Sequence, residues 1–404
     1  MGKNIKVKLL FGIGTENRKQ IVLYDFFLFV IILNFSSIYA SIAKTFLLFL
    51  FFIVGLYILF TNIKLVSFKI NEFYNLLFFL AFYVVITLFI YPQGIVNYLI
   101  FIIKILTIFF VCRIIEKKGF NIIELFLELM YFILCFHFIL YILLLLGIPF
   151  KKVYFPNIQI TIYSYLFTAS PFDLFVGLKR FSALFTEPGI TQIVVNLCLF
   201  YYLFIKYDKW KLFILSAMLI STMSVTGYFV YILILFSHFM FYQKKTILWT
   251  ILFFVFTMLF IFFLFIYISM FSEKMETVSF LLRQQDIKIA IELILERPIL
   301  GWGYVNEDIV KSRMVTSLSK MNLGDFSSFN RGLSNGLLTI FVNMGIIFFI
   351  WYLRKLFVTC KTTLSRGSFV LFLILLIGLL GEPLEYSLLY MIFLVGGKKK
   401  CARI

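Results

Sequence analysis

Apolar runs alternate with short polar connections along most of the chain. The runs are 21–39, 45–61, 73–91, 96–112, 124–148, 189–205, 210–224, 227–242, 247–270, 335–353, 367–380 and 384–396. Each is predicted to form a membrane helix, because a helix closes its own backbone hydrogen bonds and lipid offers none. Gly227 interrupts the stretch 210–242, and Gly381-Glu382-Pro383 interrupts 367–396, so each of these pairs is open to being one broken or re-entrant helix. Two stretches stand apart from this rhythm, at 149–188 and 271–334; both are long and polar. Asp25 lies inside the first run and no small-residue cleavage site follows it, which predicts a retained helix.

The distribution of positive charge orients these spans. Lys3, Lys6, Lys8, Arg18 and Lys19 precede the first span. Lys64 and Lys69 follow the second, and Arg113, Lys117 and Lys118 the fourth. Lys206, Lys209 and Lys211 follow the sixth, and Lys244 and Lys245 the eighth. Arg354, Lys355, Lys361 and Arg366 follow the tenth, and Lys398, Lys399 and Lys400 come after the last. Basic connections after every even-numbered span predict that both termini are cytoplasmic and that the two long polar stretches are extracytoplasmic loops. The expected architecture is an all-α polytopic integral membrane protein, residues 1–404 forming one membrane domain of about 12 helices.

Composition agrees: 63% of the residues are hydrophobic and the mean hydropathy is +1.04, against roughly 45–50% apolar in a soluble domain. The net charge of +18 is therefore mainly a topology signal. The 271–333 segment has eight basic and eight acidic residues, so it offers no basic face for nucleic acid. Cys112, Cys135, Cys198, Cys360 and Cys401 fall in spans or on the cytoplasmic side, without disulfide or zinc spacing. No metal and no cofactor are expected. His137 and His238 both lie within spans, where a satisfied buried or interfacial role is the simplest. Lys104, near the middle of the fourth span, either meets a lipid phosphate or pairs with a carboxylate such as Asp25.

Candidate chemistry concentrates in the two loops. The first ends Arg180-Phe-Ser-Ala183-Leu-Phe-Thr-Glu187-Pro188. Glu-Pro suits a helix start, but Arg180 departs from the positive-inside rule, which leaves an ion pair with Glu187 or an anion clamp. In the second loop, Phe280 to Arg297 reads as an amphipathic helix with an apolar stripe of Ile287, Ala290, Ile291 and Ile294, lying along the membrane surface. Arg283 falls in its first turn, where the helix dipole disfavours a cation, so a phosphate or Asp286 is the expected partner. Gly301-Trp302-Gly303 then predicts a tight turn whose N–H groups could hold an anion while Trp302 stacks on a sugar. Arg331 is a further outer arginine, and Ser334 and Asn335 are plausible caps of the next span.

In order, these segments resemble signatures of the bacterial O-antigen ligase and polymerase superfamily. Arg180-x-x-Ala183-x-Phe-x-Glu187-Pro188 is similar to the family's Arg-x-x-Gly-x-Phe-x-Glu-Pro, with alanine for glycine. Ser221-Thr-Met-Ser224-Val-Thr-Gly227 resembles its Ser-rich helix start without the frequent arginine, and Arg283 with Pro298-x-x-Gly301-x-Gly303 resembles its Arg…Pro-Leu-x-Gly-x-Gly segment. Ser334-Asn335-x-x-Leu338, six residues and Gly345 are similar to the ligase His-Asn/Ser-x-x-Leu-x6-Gly pattern except for the histidine.

The missing histidine favours the polymerase branch. The resemblance implies a GT-C-like membrane glycosyltransferase in the bacterial cytoplasmic (inner) membrane. Its substrate would be an oligosaccharide on undecaprenyl pyrophosphate, and its partners the lipid bilayer and a chain-length regulator protein. It implies Arg180 and Arg283 on the leaving pyrophosphate, with Glu187 as base. Arg331, Gly301, Trp302, Gly303 and Asn335 would contact substrate; Asp173, Glu307 and Asp308 are further carboxylates in the loops. A ligase of the same superfamily and a polysaccharide flippase are the alternatives.

Overall fold

The computed structural model describes residues 15–34, 38–62, 95–155, 160–163, 167–170, 180–242, 258, 278–303, 307–319, 333–363, 367–384 and 386–395. Arg331, Asp173, the span expected at 73–91 and, apart from Met258, the span expected at 247–270 lie outside them. The described residues at 15–62, 101–224 and 386–395 form one compact unit, and those at 95–100 and 225–384 a second.

Four described helices are long and apolar enough to cross a membrane: Ala43–Thr61, Tyr98–Lys117, Ile122–Leu145 and Gly336–Thr363. Gln20–Asn34, Pro188–Phe204, Val225–Met240 and Ser368–Gly381 are shorter apolar helices. The protein is a mostly helical, multi-pass membrane protein.

The first unit begins with α1 (Thr15–Asn34) and α2 (Ile38–Thr61), followed by α3 (Ile95–Lys117), of which it holds the residues from Phe101 on, and α4 (Ile122–Leu145). Asn121 caps α4 through its side chain, accepting from the backbone N–H of Ile123 at 2.9 Å and of Glu124 at 3.3 Å. Then comes the main departure from an all-α chain. The first loop contains β1 (Lys152–Phe155), β2 (Ile160–Tyr163), β3 (Phe167–Ser170) and β4 (Arg180–Phe181), an antiparallel sheet in that order. Lys-Val-Tyr-Phe, Ile-Thr-Ile-Tyr and Phe-Thr-Ala-Ser are rich in β-branched and aromatic residues, which favour pleated strands. Reading the segment only as a connection between spans overlooked that signal.

The sheet leads into α5 (Pro188–Phe204), in which every residue but Gly189 is buried. This helix is covered on every face, its buried polar pair Gln192 and Asn196 bonded to each other at 3.1 Å, and α5 packs against α4 and α6 (Lys209–Ser221). At its far end Tyr201 donates to Glu128 at 3.1 Å, and Lys206 forms an ion pair with the same carboxylate. Lys211 sits over the rings of Tyr131 and Tyr202, at 4.8 and 4.3 Å. The buried His137 donates from Nδ1 to Ile133 O at 2.8 Å, a satisfied polar group within its own helix.

In the second unit, α7 (Val225–Tyr242) follows α6 directly. The break in 210–242 falls at Thr222–Ser224, where Met223 takes φ +49°, and Gly227 is inside α7. With 13 residues, α6 is about 20 Å long, less than the ~30 Å core expected for a span at 210–224. Then come α8 (Val278–Glu296), α9 (Glu307–Ser319), α10 (Gly336–Thr363) and α11 (Ser368–Gly381). The last helix, α12 (Leu388–Val395), packs with the first unit. A core of Ile289, Ala290, Leu293, Val310, Leu333 and Val342 joins α8, α9 and α10.

Candidate functional site

In the first unit, the residues Arg180 to Pro188 form one structured elbow. Arg180 lies on β4, paired with Ser170 of β3, and Phe181 is paired with Ala169. Phe181 is fully buried against Phe138 and Tyr141, with ring centroids 5.4 and 5.2 Å away. The chain then turns through Ala183, whose φ is +50°, and the N–H of Phe185 donates to Ser182 O at 3.0 Å. Thr191, one turn into α5, donates its hydroxyl to the same carbonyl at 2.6 Å. Ala183 and Phe185 are fully buried. The Ala in this motif thus occupies a left-handed position that glycine adopts without strain.

Arg180 reaches from this elbow to the end of α6. Its Nε–H donates to Thr222 O at 2.9 Å and an Nη2–H to Met223 O at 3.3 Å. A cation here complements the negative end of the helix and binds carbonyls that the helix cannot pair itself. The partners of these two bonds are carbonyls of the α6 end rather than the Glu187 carboxylate. Ala183 and Met223 are the two non-glycine residues with positive φ among the described residues, and both belong to this arrangement. Glu187 holds the N-cap position of α5 with extended backbone, and Pro188 follows at the first helical position. Its carboxylate makes no capping bond and is exposed, so the side chain does not have the capping role its position allows.

The second unit assembles the other motifs. Helix α8 starts at Val278, two residues earlier than expected, which puts Arg283 in the second turn. The dipole argument for a phosphate partner weakens there. Arg283 is exposed. The expected apolar stripe divides between two faces. Ala290 is fully buried in the core with Ile289 and Leu293, while Ile287 and Ile291 are 46% and 49% exposed. The core face is set by packing on α9 and α10, which the periodicity alone does not reveal.

Asp286, only 1% exposed, points to α10. It accepts from the backbone N–H of Ser334 at 3.0 Å and from the Ser334 hydroxyl. Next to it, Asn335 caps α10, its Oδ1 accepting from Leu338 N at 3.1 Å. That is the capping role its position in the sequence suggests.

The Gly-x-Gly turn docks on α10. At Gly345 (φ +70°, ψ 179°) this helix is interrupted. The interruption releases two carbonyls and one N–H, and the turn supplies their partners. Trp302 N donates to Val342 O and Gly303 N to Asn343 O, each at 2.8 Å, while Ile346 N donates to Pro298 O at 2.9 Å. A Cβ at Gly301 would lie 2.6 Å from Val342 O, and one at Gly345 would lie 2.1 Å from Ile299 O. The N–H groups read as an anion cradle are therefore used within the fold. Trp302 is likewise committed: its Nε1–H donates to Leu293 O at 2.9 Å, and Arg297 lies 4.1 Å over its ring. The tight turn is where the sequence placed it, but what approaches so closely is backbone of the same chain.

Within the first unit, Arg180 and Glu187 thus share one elbow. Within the second, Arg283, Gly301–Gly303 and Asn335 share the α8–α10 assembly. The motif reading missed Asp286 as the link between α8 and Ser334, and the Thr222 and Met223 carbonyls as partners of Arg180. Asp286 carried one signal: a carboxylate at a core position of an amphipathic helix requires a donor.

Fold and sites define a helical multi-pass membrane protein with its motifs gathered at helix ends and breaks. Residues 210–353 match the family model described as O-Antigen ligase. The match runs from α6 into α10 and includes Arg283, both glycine motifs and Ser334, and it supports the O-antigen ligase and polymerase superfamily. The Arg180–Pro188 elbow precedes it. No curated protein and no solved structure matches the chain.

Proposed function

We propose that the protein is a polysaccharide polymerase. It transfers a growing glycan from undecaprenyl pyrophosphate to the non-reducing end of a new lipid-linked repeat unit, at the outer face of the bacterial cytoplasmic membrane. The observation that carries this reading is the family match over 210–353, which contains Arg283 and the interlocked glycine motifs. The His of the ligase pattern is replaced by Ser334, which favours a polymerase over a ligase. The full reading includes about 12 spans, cytoplasmic termini and both loops outside, supported by the charge bias of the connections.

In this mechanism the bond between the sugar carbon and the pyrophosphate oxygen breaks as the acceptor hydroxyl attacks that carbon. Negative charge grows on the leaving oxygen, and arginine forks stabilise it. Arg283, exposed one helical turn before Ile287, is the first choice. The exposed Ile287, Ile291 and Leu295 of α8 would seat in the lipid interface beside it. Arg180 and Arg331 are further cations for the pyrophosphate. The exposed carboxylate of Glu187 would take the acceptor proton. A chain-length regulator is the expected protein partner.

Deleting the gene and running surface polysaccharide on a gel tests the reading. Loss of the ladder with retention of single units supports a polymerase. Long lipid-linked chains that never reach their acceptor mean a ligase, and an unchanged ladder refutes both. In complementation, Arg283→Ala is expected to abolish long chains while the melting temperature in detergent stays within about 2 °C, as for an exposed residue; normal chain lengths would remove Arg283 from the mechanism.

A further inference from the structure

We infer that Lys44 and Lys104 form a site for a phosphate-bearing lipid headgroup, at the outer edge of the membrane on the topology proposed above. Lys104 lies within the span Tyr98–Lys117 and is half-buried. A lysine within a span is costly unless something compensates its charge. Among the described residues no carboxylate does so: the charge that acts on Lys104 is the ammonium of Lys44. Asp25, the partner the sequence offered, has Glu128 as its neighbouring charge instead. Two like charges next to lipid repel each other, and an anion between them turns that repulsion into two attractions.

Helix packing sets the pair. α2 and α3 meet at Gly55, where a Cβ would lie 2.5 Å from Thr107 Cγ2. Lys44 precedes Gly55 by eleven residues and Lys104 precedes Thr107 by three, roughly 16 and 5 Å by helical rise. Since each lysine feels the other's charge, both lie on the same side of that contact. The Cα–Cβ bond of a helix tilts toward its N-terminus, so the Lys104 stem leans toward the level of Lys44. Lys44 directly follows the non-helical Ala43 and so opens the regular part of α2. The helix dipole there favours an anion and disfavours an unaccompanied cation.

The surroundings set the source of the anion. Phe46 and Phe49, close to Lys44 on α2, are 63% and 62% exposed, and Ile103, next to Lys104, is 47% exposed. In a membrane protein such apolar surface faces acyl chains, so the anion arrives on a lipid and not from bulk water. Lipid-linked pyrophosphate and an ordinary anionic phospholipid share the chemistry the pair recognises, a phosphate above a hydrocarbon chain.

The test uses the full-length protein in a maltoside detergent, which carries no phosphate. Undecaprenyl pyrophosphate and phosphatidylglycerol are added separately, and binding is read by native mass spectrometry and by melting temperature. Wild-type protein is expected to bind at least one of them and to gain stability from it. Lys44→Gln and Lys104→Met each weaken that binding about 10-fold or more, the effect of one lost charge-assisted hydrogen bond, whereas Lys104→Arg retains it. Without lipid, Lys104→Met melts no lower than wild type, because the charge it removes has no partner; a structural lysine would behave in the opposite way. Loss confined to undecaprenyl pyrophosphate makes the pair a donor site, loss confined to phosphatidylglycerol a site for a resident lipid, and loss of both a general phosphate site. Failure of wild type to bind either lipid, equal binding by wild type and the lysine variants, or a lower melting temperature of lipid-free Lys104→Met overturns the inference. Binding is read without turnover, so a protein that transfers no glycan refutes the polymerase reading and leaves this site standing.

Discussion

The Arg180 elbow and the α8–α10 assembly meet similar backbone demands by different means. Both contain left-handed residues next to a helix end or break. In the elbow these are Ala183 and Met223, with φ of +50° and +49°. In the assembly they are Gly301, Gly303 and Gly345, with φ of +69°, +98° and +70°. A side chain is possible at Ala183 because only the torsion is demanding there, and the strain is of order 1–2 kcal/mol. At Gly301 and Gly345 a side chain would meet backbone carbonyl groups at 2.6 and 2.1 Å, so the contact itself excludes it. The means of attachment differ as well. The elbow holds the α6 end through one guanidinium, whereas the assembly holds the α10 break through three backbone hydrogen bonds. Torsional strain is tolerated where one residue carries it; close backbone approach admits no compromise.

Substitutions sharpen the contrast. The largest effect is expected for Gly345→Ala. Its Cβ would force apart the turn and the break, with loss of three hydrogen bonds at roughly 1 kcal/mol each, about 3 kcal/mol in all. A melting curve in detergent measures it, and a shift no larger than for an exposed alanine substitution would contradict the interlock. Arg180→Ala comes next, at about 2 kcal/mol, because two bonds from a half-buried, solvent-screened guanidinium to carbonyls are lost. Unlike Arg283→Ala, it is expected to lower stability and polymer length together, and a normal melting temperature would show that the elbow does not depend on the guanidinium.

Trp302→Phe keeps the ring under Arg297 and removes the bond to Leu293 O, for about 1 kcal/mol. Full stability in that variant would leave the indole N–H without structural value. The smallest effect, and the only one of opposite sign, is expected for Ala183→Gly. Relief of left-handed strain, less the entropy cost of glycine, leaves a gain of about 0.5–1 kcal/mol. Destabilisation would mean that the Ala183 methyl, fully buried, contributes more by packing than the torsion costs.

Much of this protein was legible in its sequence. Among the described residues, hydrophobic runs located the apolar helices, because lipid forces backbone groups to pair within each segment. The break at Gly345 appears only in the structure. Gly301 and Gly303 announced a tight turn, and Asn335 announced a cap. These features are local: each depends on the torsions or solvation of a few neighbouring residues. Four things depended on the fold instead. The strands at 152–181 form through pairing between segments. The inward face of α8 is chosen by α9 and α10, which is why Ile287 and Ile291 face out while Ala290 faces in. The partners of Arg180 lie at Thr222 and Met223, and the partner of Asp286 is Ser334, 48 residues away. A sequence states that a charge or an orphan N–H must be satisfied; which group satisfies it is decided only when distant segments pack, because hydrogen bonds act over about 3 Å in space and take no account of distance along the chain.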